Sequence, residues 1–297
     1  MAHLWAHSLR DPPILGFLQG ENKAMRTKIM TATVLAALAT ASFAQAGEGE
    51  GEYDALLSDG NSTAGFTTSG QISWIVDGVE QLFDQSFYFR RGGDNREYVL
   101  GDGGLDNIGS FVTDTNPFRD QAPDAFGNLY ADGSGLEIET IFTLRGGNEG
   151  SGRADLAESI TIRNTGLESI SLSFFQYVDF DLGGDSSDDM GWIVNGNTVR
   201  QEDDQFSVAE VVVTPAPDLW SVGNYPDLID ALNDDDIDNL DNNIHAEGDV
   251  AWAFQWNITL AAGESFIISK DKSIVPAPGA LALLGLSAGL VAPRRRR

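Results

Sequence analysis

The segment Asp179-Phe180-Asp181-Leu182-Gly183-Gly184-Asp185-Ser186-Ser187-Asp188-Asp189 packs five carboxylates and two hydroxyls into eleven residues. It follows an apolar period-two run, so Asp179 and Asp181 point to one side of a strand end. The paired glycines allow a sharp turn that can bring Asp185, Asp188 or Asp189 back to the same place. A calcium ion takes about 6–8 oxygens at roughly 2.3–2.6 Å, and a loop of this kind supplies them. The expected cofactor is therefore Ca2+, held by Asp179, Asp181, Asp185, Asp188 and Asp189. The spacing is not that of an EF-hand, because the glycines and the closing Glu are misplaced. The alternative is a solvated acidic turn in a chain that carries 45 acidic residues.

A second acidic run, Asn233-Asp234-Asp235-Asp236-Ile237-Asp238-Asn239-Leu240-Asp241-Asn242-Asn243, also offers oxygens, although Leu240 and Asp241 stand where an EF-hand needs an oxygen ligand and Gly. Crowded carboxylates repel unless they are exposed or share a cation. Catalysis has less to work with. Glu137 and Glu139 share a strand face and could flank a glycosidic bond, but chance alone makes such pairs in so acidic a chain. His245 is the only histidine after residue 7, and no nucleophile elbow or metalloprotease helix motif is present. We expect no enzyme. Trp252, Phe254 and Trp256 share a face with Val250, Ile258 and Leu260, which predicts core packing. Trp74, Trp192 and Trp220 are candidate surface aromatics that could stack on sugar rings.

Strands must position these groups. Ile72, Trp74 and Val76 lead to Asp77-Gly78, a tight-turn pair, and Val79 returns the chain toward Phe83. Phe87-Tyr88-Phe89 reads as a strand buried on both faces. Arg91 to Asp132 is mostly turn chemistry and too long for an ordinary loop, so it is expected to be functional or locally structured. Leu136 to Leu144 alternates cleanly, Ile160 and Ile162 follow, and Ile170 to Phe180 forms another long strand. Val250 to Leu260, the turn Ala262-Gly263-Glu264, then Phe266 and Ile268 read as a hairpin. A helix is expected near Leu228, Ile229 and Leu232, capped by Asn224, with Pro226 early. The predicted fold is all-β: an antiparallel β-sandwich, jelly-roll-like in plan, with long loops.

Composition narrows the partners. Of 45 acidic and 18 basic residues, 2 and 4 precede Gly47, and the last four basic residues are Arg294 to Arg297; 43 acids and 10 bases remain, a formal charge of −33. Nucleic acid and anionic membrane surfaces are poor partners for such a body. Divalent cations and neutral or cationic polymers suit it better. With no cysteine there is no disulfide and no thiolate site.

Both ends look like address labels. From Met25, Arg26 and Lys28 form a charged start, Ile29 to Ala41 an apolar stretch, and Ala44-Gln45-Ala46 a small-x-small cleavage site, so signal peptidase is expected to release Gly47. Residues 1–24 read as an upstream extension of the true start. At the other end, Val275-Pro276-Ala277-Pro278-Gly279 precedes thirteen uncharged residues, Ala280 to Ala292, then Pro293 and Arg294-Arg295-Arg296-Arg297. A membrane helix needs about 20 apolar residues, so the segment is marginal as a single span. The arginines favour the cytoplasmic side and the body the other.

This order of motif, apolar segment and terminal basic cluster resembles the PEP-CTERM sorting signal, with Ala277 in place of the family's glutamate. The resemblance covers the tail only. It implies processing by an exosortase near Pro276 to Gly279 and transient or single-pass membrane contact. It also implies delivery to the cell surface, the outer membrane or an exopolysaccharide-rich matrix. The expected division is 25–46 signal peptide, 47–70 flexible lead, 71–274 sandwich and 275–297 sorting tail with a short hydrophobic helix. The function read from all this is that of an exported, non-enzymatic surface or matrix protein. A carbohydrate-binding module acting on exopolysaccharide is favoured instead if two or more aromatics line an exposed groove, and a secreted glycoside hydrolase if a carboxylate pair lies in a deep cleft.

Overall fold

The computed structural model describes residues 53–278. In chain order its strands are β1 (Ala55–Asp59), β2 (Ser62–Phe66), β3 (Gly70–Val76), β4 (Val79–Glu80), β5 (Leu82–Arg91), β6 (Tyr98–Val99), β7 (Asp106–Thr113), β8 (Ala125–Ala131) and β9 (Leu136–Gly146). There follow β10 (Ala154–Asn164), β11 (Ile170–Phe180), β12 (Asp189–Val194), β13 (Thr198–Glu202), β14 (Phe206–Thr214), β15 (Leu219–Asn224), β16 (His245–Gly248), β17 (Val250–Leu260) and β18 (Ser265–Pro276). An α-helix, α1 (Asp227–Asn233), lies between β15 and β16, and a single 3-10 turn, Leu182–Gly184, follows β11.

The strands form two antiparallel sheets of nine. The first runs β1-β2-β3-β5-β11-β17-β15, with β4 on β3 and β6 on β5; the second runs β16-β12-β13-β14-β18-β10-β9-β8-β7. This is a larger plan than the eight strands of a jelly roll.

Alternation sorts the side chains, because successive residues of a strand face opposite sides. Leu136, Ile138, Phe142 and Leu144 of β9 and Val250, Trp252, Phe254 and Trp256 of β17 belong to one core between the sheets, all at most 1 % exposed. Phe180 stacks on Trp252 at 5.5 Å and Phe87 on Phe174 at 5.7 Å. Each such side chain is worth roughly 1.5–3 kcal/mol when buried.

The first sheet has a second apolar layer on its outer side. There Tyr88, Phe175, Tyr177, Ala251 and Ala253 are covered by Leu232 of α1 and Leu240 of the loop after it. Phe87-Tyr88-Phe89 is accordingly buried on both faces.

The inner face also holds charge. Lys270 and Lys272 of β18, Glu158 of β10 and Glu210 of β14 are all at most 3 % exposed. Lys272 pairs with Glu158 at 2.6 Å, and Lys270 with Glu158 at 2.5 Å and Glu210 at 3.3 Å. Gln176 and the Trp252 indole donate to Glu210 at 3.2 and 3.3 Å, and Lys272 reaches Gln71 and Gln85 from the facing sheet. The four ions cancel, which is what lets them stay buried.

Several sequence expectations are corrected. Residues 55–66 are not a flexible lead. They form β1 and β2, with Leu57, Ala64 and Phe66 in the core. The stretch Arg91 to Asp132 is locally structured, as its length suggested, and contains β6, β7 and β8. Its glycines and polar residues hide them, and β7 is an edge strand with mostly exposed side chains.

Val250–Leu260 and Ser265–Pro276 are not a hairpin. β17 belongs to the first sheet and β18 to the second, so residues 261–264 cross between layers. Asn224 does not cap α1. It ends β15 and donates to the Glu247 carbonyl at 2.7 Å, while Pro226 stands at the N-cap.

The sandwich also runs past Ile274. Val275 pairs with Ser207 and Pro276 with Phe206, and the Ala277 N–H donates to the Gln205 carbonyl at 2.8 Å. Among the described residues no helix is long and apolar enough to cross a membrane. The signal-peptide residues, with the Ala44, Ala46 and Gly47 cleavage site, lie outside the described residues. So do Gly279, the apolar segment and Arg294 to Arg297.

Candidate functional site

The predicted calcium loop is split in two. Asp179, the outward residue near the end of β11, meets Asp181 just beyond it and Asp249 just before β17. Asp188 and Asp189 instead meet Asp203. Asp185 joins neither group. It accepts from the Ser187 N–H and hydroxyl at 2.9 and 2.7 Å, closing its own turn, and those hydrogen bonds hold its carboxyl below the usual range.

Register explains the first meeting. Asp179 pairs with Ala251 in the β11–β17 ladder. Two residues further along each antiparallel strand, Asp181 stands against Asp249. The nearest oxygens of Asp179, Asp181 and Asp249 all lie within 4.8 Å of one another. Asp249 carried no signal of its own in the sequence, since only the pairing of two strands seventy residues apart brings it here.

A β-bulge completes the site. β11 pairs Asp179 with Asp84 but Phe180 with Leu82, which leaves Phe83 as an extra residue on β5. Leu82 points into the core, so Phe83 and Asp84 are both freed from it. Phe83 is 54 % exposed and meets Tyr225, 42 % exposed, edge to face at 5.7 Å. Phe83, Tyr225, Ser186 and the three aspartates line a cavity of about 110 Å³.

The electrostatics are unusual for a surface pocket. Asp179 is 1 % exposed; the Tyr177 hydroxyl donates to its Oδ2 at 2.9 Å, and its Oδ1 is buried with no partner. Burial, against the Tyr177 hydrogen bond and helped by the charges of Asp181, Asp249 and Asp84, pushes its carboxyl up to about 7. Burial likewise lifts Asp84 to about 6, against a hydrogen bond from Ser86. Asp181 and Asp249 are raised as well, first by burial and for Asp181 also by its acidic neighbours.

The second group is only partly satisfied. Asp189 is buried and its Oδ2 accepts from Gln201 at 2.5 Å, but its Oδ1 has no partner and burial pushes its carboxyl up to about 8, while Asp203 accepts from the Gln205 and Phe206 N–H groups. In the second acidic run, Asp234 accepts from the Asp236 N–H at 2.7 Å, Asp241 from Ser221 and Asn243, and Asp235 pairs with Arg96. Glu139 pairs with Arg163 at 2.8 Å on the outer face of the second sheet, and Glu137 beside it lies on the same face rather than in a cleft. His245 contacts the Gly191 carbonyl and Glu247, so no triad forms around it.

Larger concavities of about 210, 410 and 680 Å³ exist, and most of their charged groups are engaged, Asp238 and Glu149 excepted. Arg91 is held by Asp94 and Asp132, Arg90 by Glu97, and Asp77 by the Gly150 and Gly152 N–H groups. Of the three tryptophans read as surface aromatics, Trp74 is fully buried and donates to Ser62 at 2.9 Å, whereas Trp192 and Trp220 are half-buried. Sequence reasoning missed Phe83 and Tyr225, whose exposure depends on the bulge and on the turn before α1.

No family model matches the chain, and no curated protein does. Solved structures do. A bacterial glucoamylase complexed with acarbose superposes with a TM-score of 0.51 at 11 % identity, over 82 % of this chain and 36 % of that one. A galactose mutarotase-like protein from Lactobacillus casei gives 0.44 at 10 % identity, over 74 % of this chain and 99 % of the other. The chain thus spans about a third of the glucoamylase. At such identities the likeness is one of fold: an antiparallel β-sandwich of a kind found within a carbohydrate-active enzyme.

Proposed function

We propose that this chain is an exported carbohydrate-binding protein of the cell surface or extracellular matrix. The observation that carries the reading is the exposed Phe83–Tyr225 pair beside carboxylates that no basic residue neutralises. Sugars present apolar C–H faces and rings of hydroxyls. Exposed aromatics take the first, and carboxylates accept hydrogen bonds from the second. Two exposed aromatics at one concavity support a carbohydrate-binding module over a purely structural protein. A body of formal charge −33 selects neutral or cationic polysaccharide over nucleic acid. Export rests on the two terminal signals and their agreement in topology, with signal peptidase at one end and an exosortase-type enzyme at the other.

The test is retention of the full chain on immobilised exopolysaccharide. Phe83→Ala with Tyr225→Ala is expected to weaken retention roughly tenfold, about 1.4 kcal/mol, without lowering the melting temperature. Unchanged retention by the double variant rules the pocket out as the saccharide site.

A second reading has one observation in its favour. Burial pushes the Asp179 carboxyl up to about 7 beside two further carboxylates, and carboxylates whose environments differ are what glycoside hydrolysis needs. The cavity of about 110 Å³ is well below the roughly 300–1,000 Å³ of sites that enclose a small molecule, which favours binding over cleavage. Release of reducing ends that Asp179→Asn abolishes would establish the hydrolase.

A further inference from the structure

We propose that Asp179, Asp181 and Asp249, with the Ser186 hydroxyl, form a calcium-type cation site, and that the bound ion presents saccharide oxygens to the Phe83–Tyr225 rim. The second half rests on the carbohydrate reading above; the first does not.

Three observations carry it. The first is convergence. The nearest oxygens of the three carboxylates lie within 4.8 Å of one another. Two ligands of one calcium, each about 2.3–2.6 Å from it, stand at most about 5.2 Å apart, so the three spacings suit one shared ion after small side-chain shifts. An all-oxygen set of carboxylates and a hydroxyl suits a hard cation rather than a transition metal.

The second is lack of any other partner. Among the described residues the acids Asp59, Asp94, Asp132, Asp235, Glu97, Glu139, Glu158 and Glu210 all pair with Arg or Lys, and Asp77, Asp185, Asp203 and Asp241 accept backbone N–H groups in their own turns or neighbouring loops. Asp181 and Asp249 do neither, as is also true of exposed acids such as Asp188 and Asp236, so the buried Asp179 is the decisive member. The Asp179 Oδ1 is a buried polar atom with no partner, in a side chain 1 % exposed that lines the cavity. A buried oxygen without a hydrogen bond is a cost that a cation removes.

The third is size. About 110 Å³ holds an ion with one or two exchangeable waters and little more. Those waters face Phe83 and Tyr225, where the hydroxyls or carboxylate of a saccharide can replace them.

The experiment is a calcium chloride titration of the full chain by isothermal calorimetry, with Asp249→Asn as the variant and Asp185→Asn as an acidic-surface control. Wild type and Asp185→Asn are expected to bind with a dissociation constant on the order of 10⁻⁴–10⁻³ M, as extracellular calcium modules do. Asp249→Asn is expected to lose one equivalent. Melting curves guard against a misfolded variant. In chelator Asp249→Asn should melt at or above wild type, because one repulsive carboxylate is gone. Saturating calcium should raise wild type by on the order of 5 °C and leave the variant where it was.

Equal stoichiometry and affinity in wild type and Asp249→Asn overturns the cation site. Loss of the site in Asp249→Asn, combined with polysaccharide retention that responds to Phe83→Ala/Tyr225→Ala but not to chelator, overturns the bridging role and leaves the aromatic reading intact.

Discussion

Lys272 is completely buried in the sandwich and survives there because Glu158 lies 2.6 Å away. Burial pulls its amine below its usual value, against the attraction of Glu158 and Glu210. Removing one member of a neutral buried quartet strands the opposite charge, which costs about 3–5 kcal/mol. Lys272→Met should therefore lower the urea midpoint sharply, and a variant as stable as wild type would mean the quartet contributes nothing.

The same quartet sets a pH limit. Burial raises the Glu158 carboxyl, but Lys270 and Lys272 outweigh it and hold it at about 2, below its ordinary 4.5. A depressed carboxylate stabilises fully above its unfolded value and loses that contribution as pH falls from about 4.5 through about 2. The stability gap between wild type and Glu158→Gln, read from urea curves at about pH 6 and pH 3, should shrink at the lower pH.

At the scale of elements, strand ends are pinned by close backbone approach. Gly146 closes β9, and a Cβ built there would sit 1.7 Å from the Asp59 carbonyl oxygen at the end of β1. Its N–H also donates to the Asp59 carboxylate at 2.9 Å. Gly146→Ala must push the β1–β2 hairpin off the second sheet, exposing Leu57 and Phe66. We expect a loss of roughly 3 kcal/mol or more, or insoluble protein, checked by urea unfolding and by partition into the pellet. Gly263→Ala is the comparison. There a Cβ meets nothing within 4 Å, and only the positive φ of 80° resists, at about 1 kcal/mol.

The bulge at Phe83 works at the same scale. Bulges bend a strand and redirect its side chains. This one gives the acidic pocket its aromatic rim without taking an apolar residue from the core, since Leu82 still packs inside.

Over the whole molecule, the net charge of −27 makes self-repulsion the dominant long-range force. Raising ionic strength from about 0.01 M to about 0.15 M shortens the screening length from roughly 30 Å to roughly 8 Å. Sodium chloride over that range should raise the melting temperature, measured with a chelator present to separate screening from ion binding. A melting temperature that falls with salt would contradict a fold strained by its own charge.

Period-two alternation along β9, β11 and β17 was enough to specify an all-β sandwich and to put Trp252 and Trp256 in its core, because burial on one face imprints itself on every second residue. Acid crowding at Asp179 and Asp181 was visible for the same local reason. What the chain could not announce depends on contacts between distant segments. β7 hid behind polar, exposed residues at a sheet edge. β1 and β2 hid among small ones. Lys270 and Lys272 follow the alternation of β18 but break its chemistry, and only the facing carboxylates of β10 and β14 make them interior residues. Asp249 reaches Asp179 through strand register, and Phe83 reaches the surface through a single extra residue opposite the end of β11. Register and layer are decided by how the strands pair and pack, and neighbours in sequence carry almost no record of either.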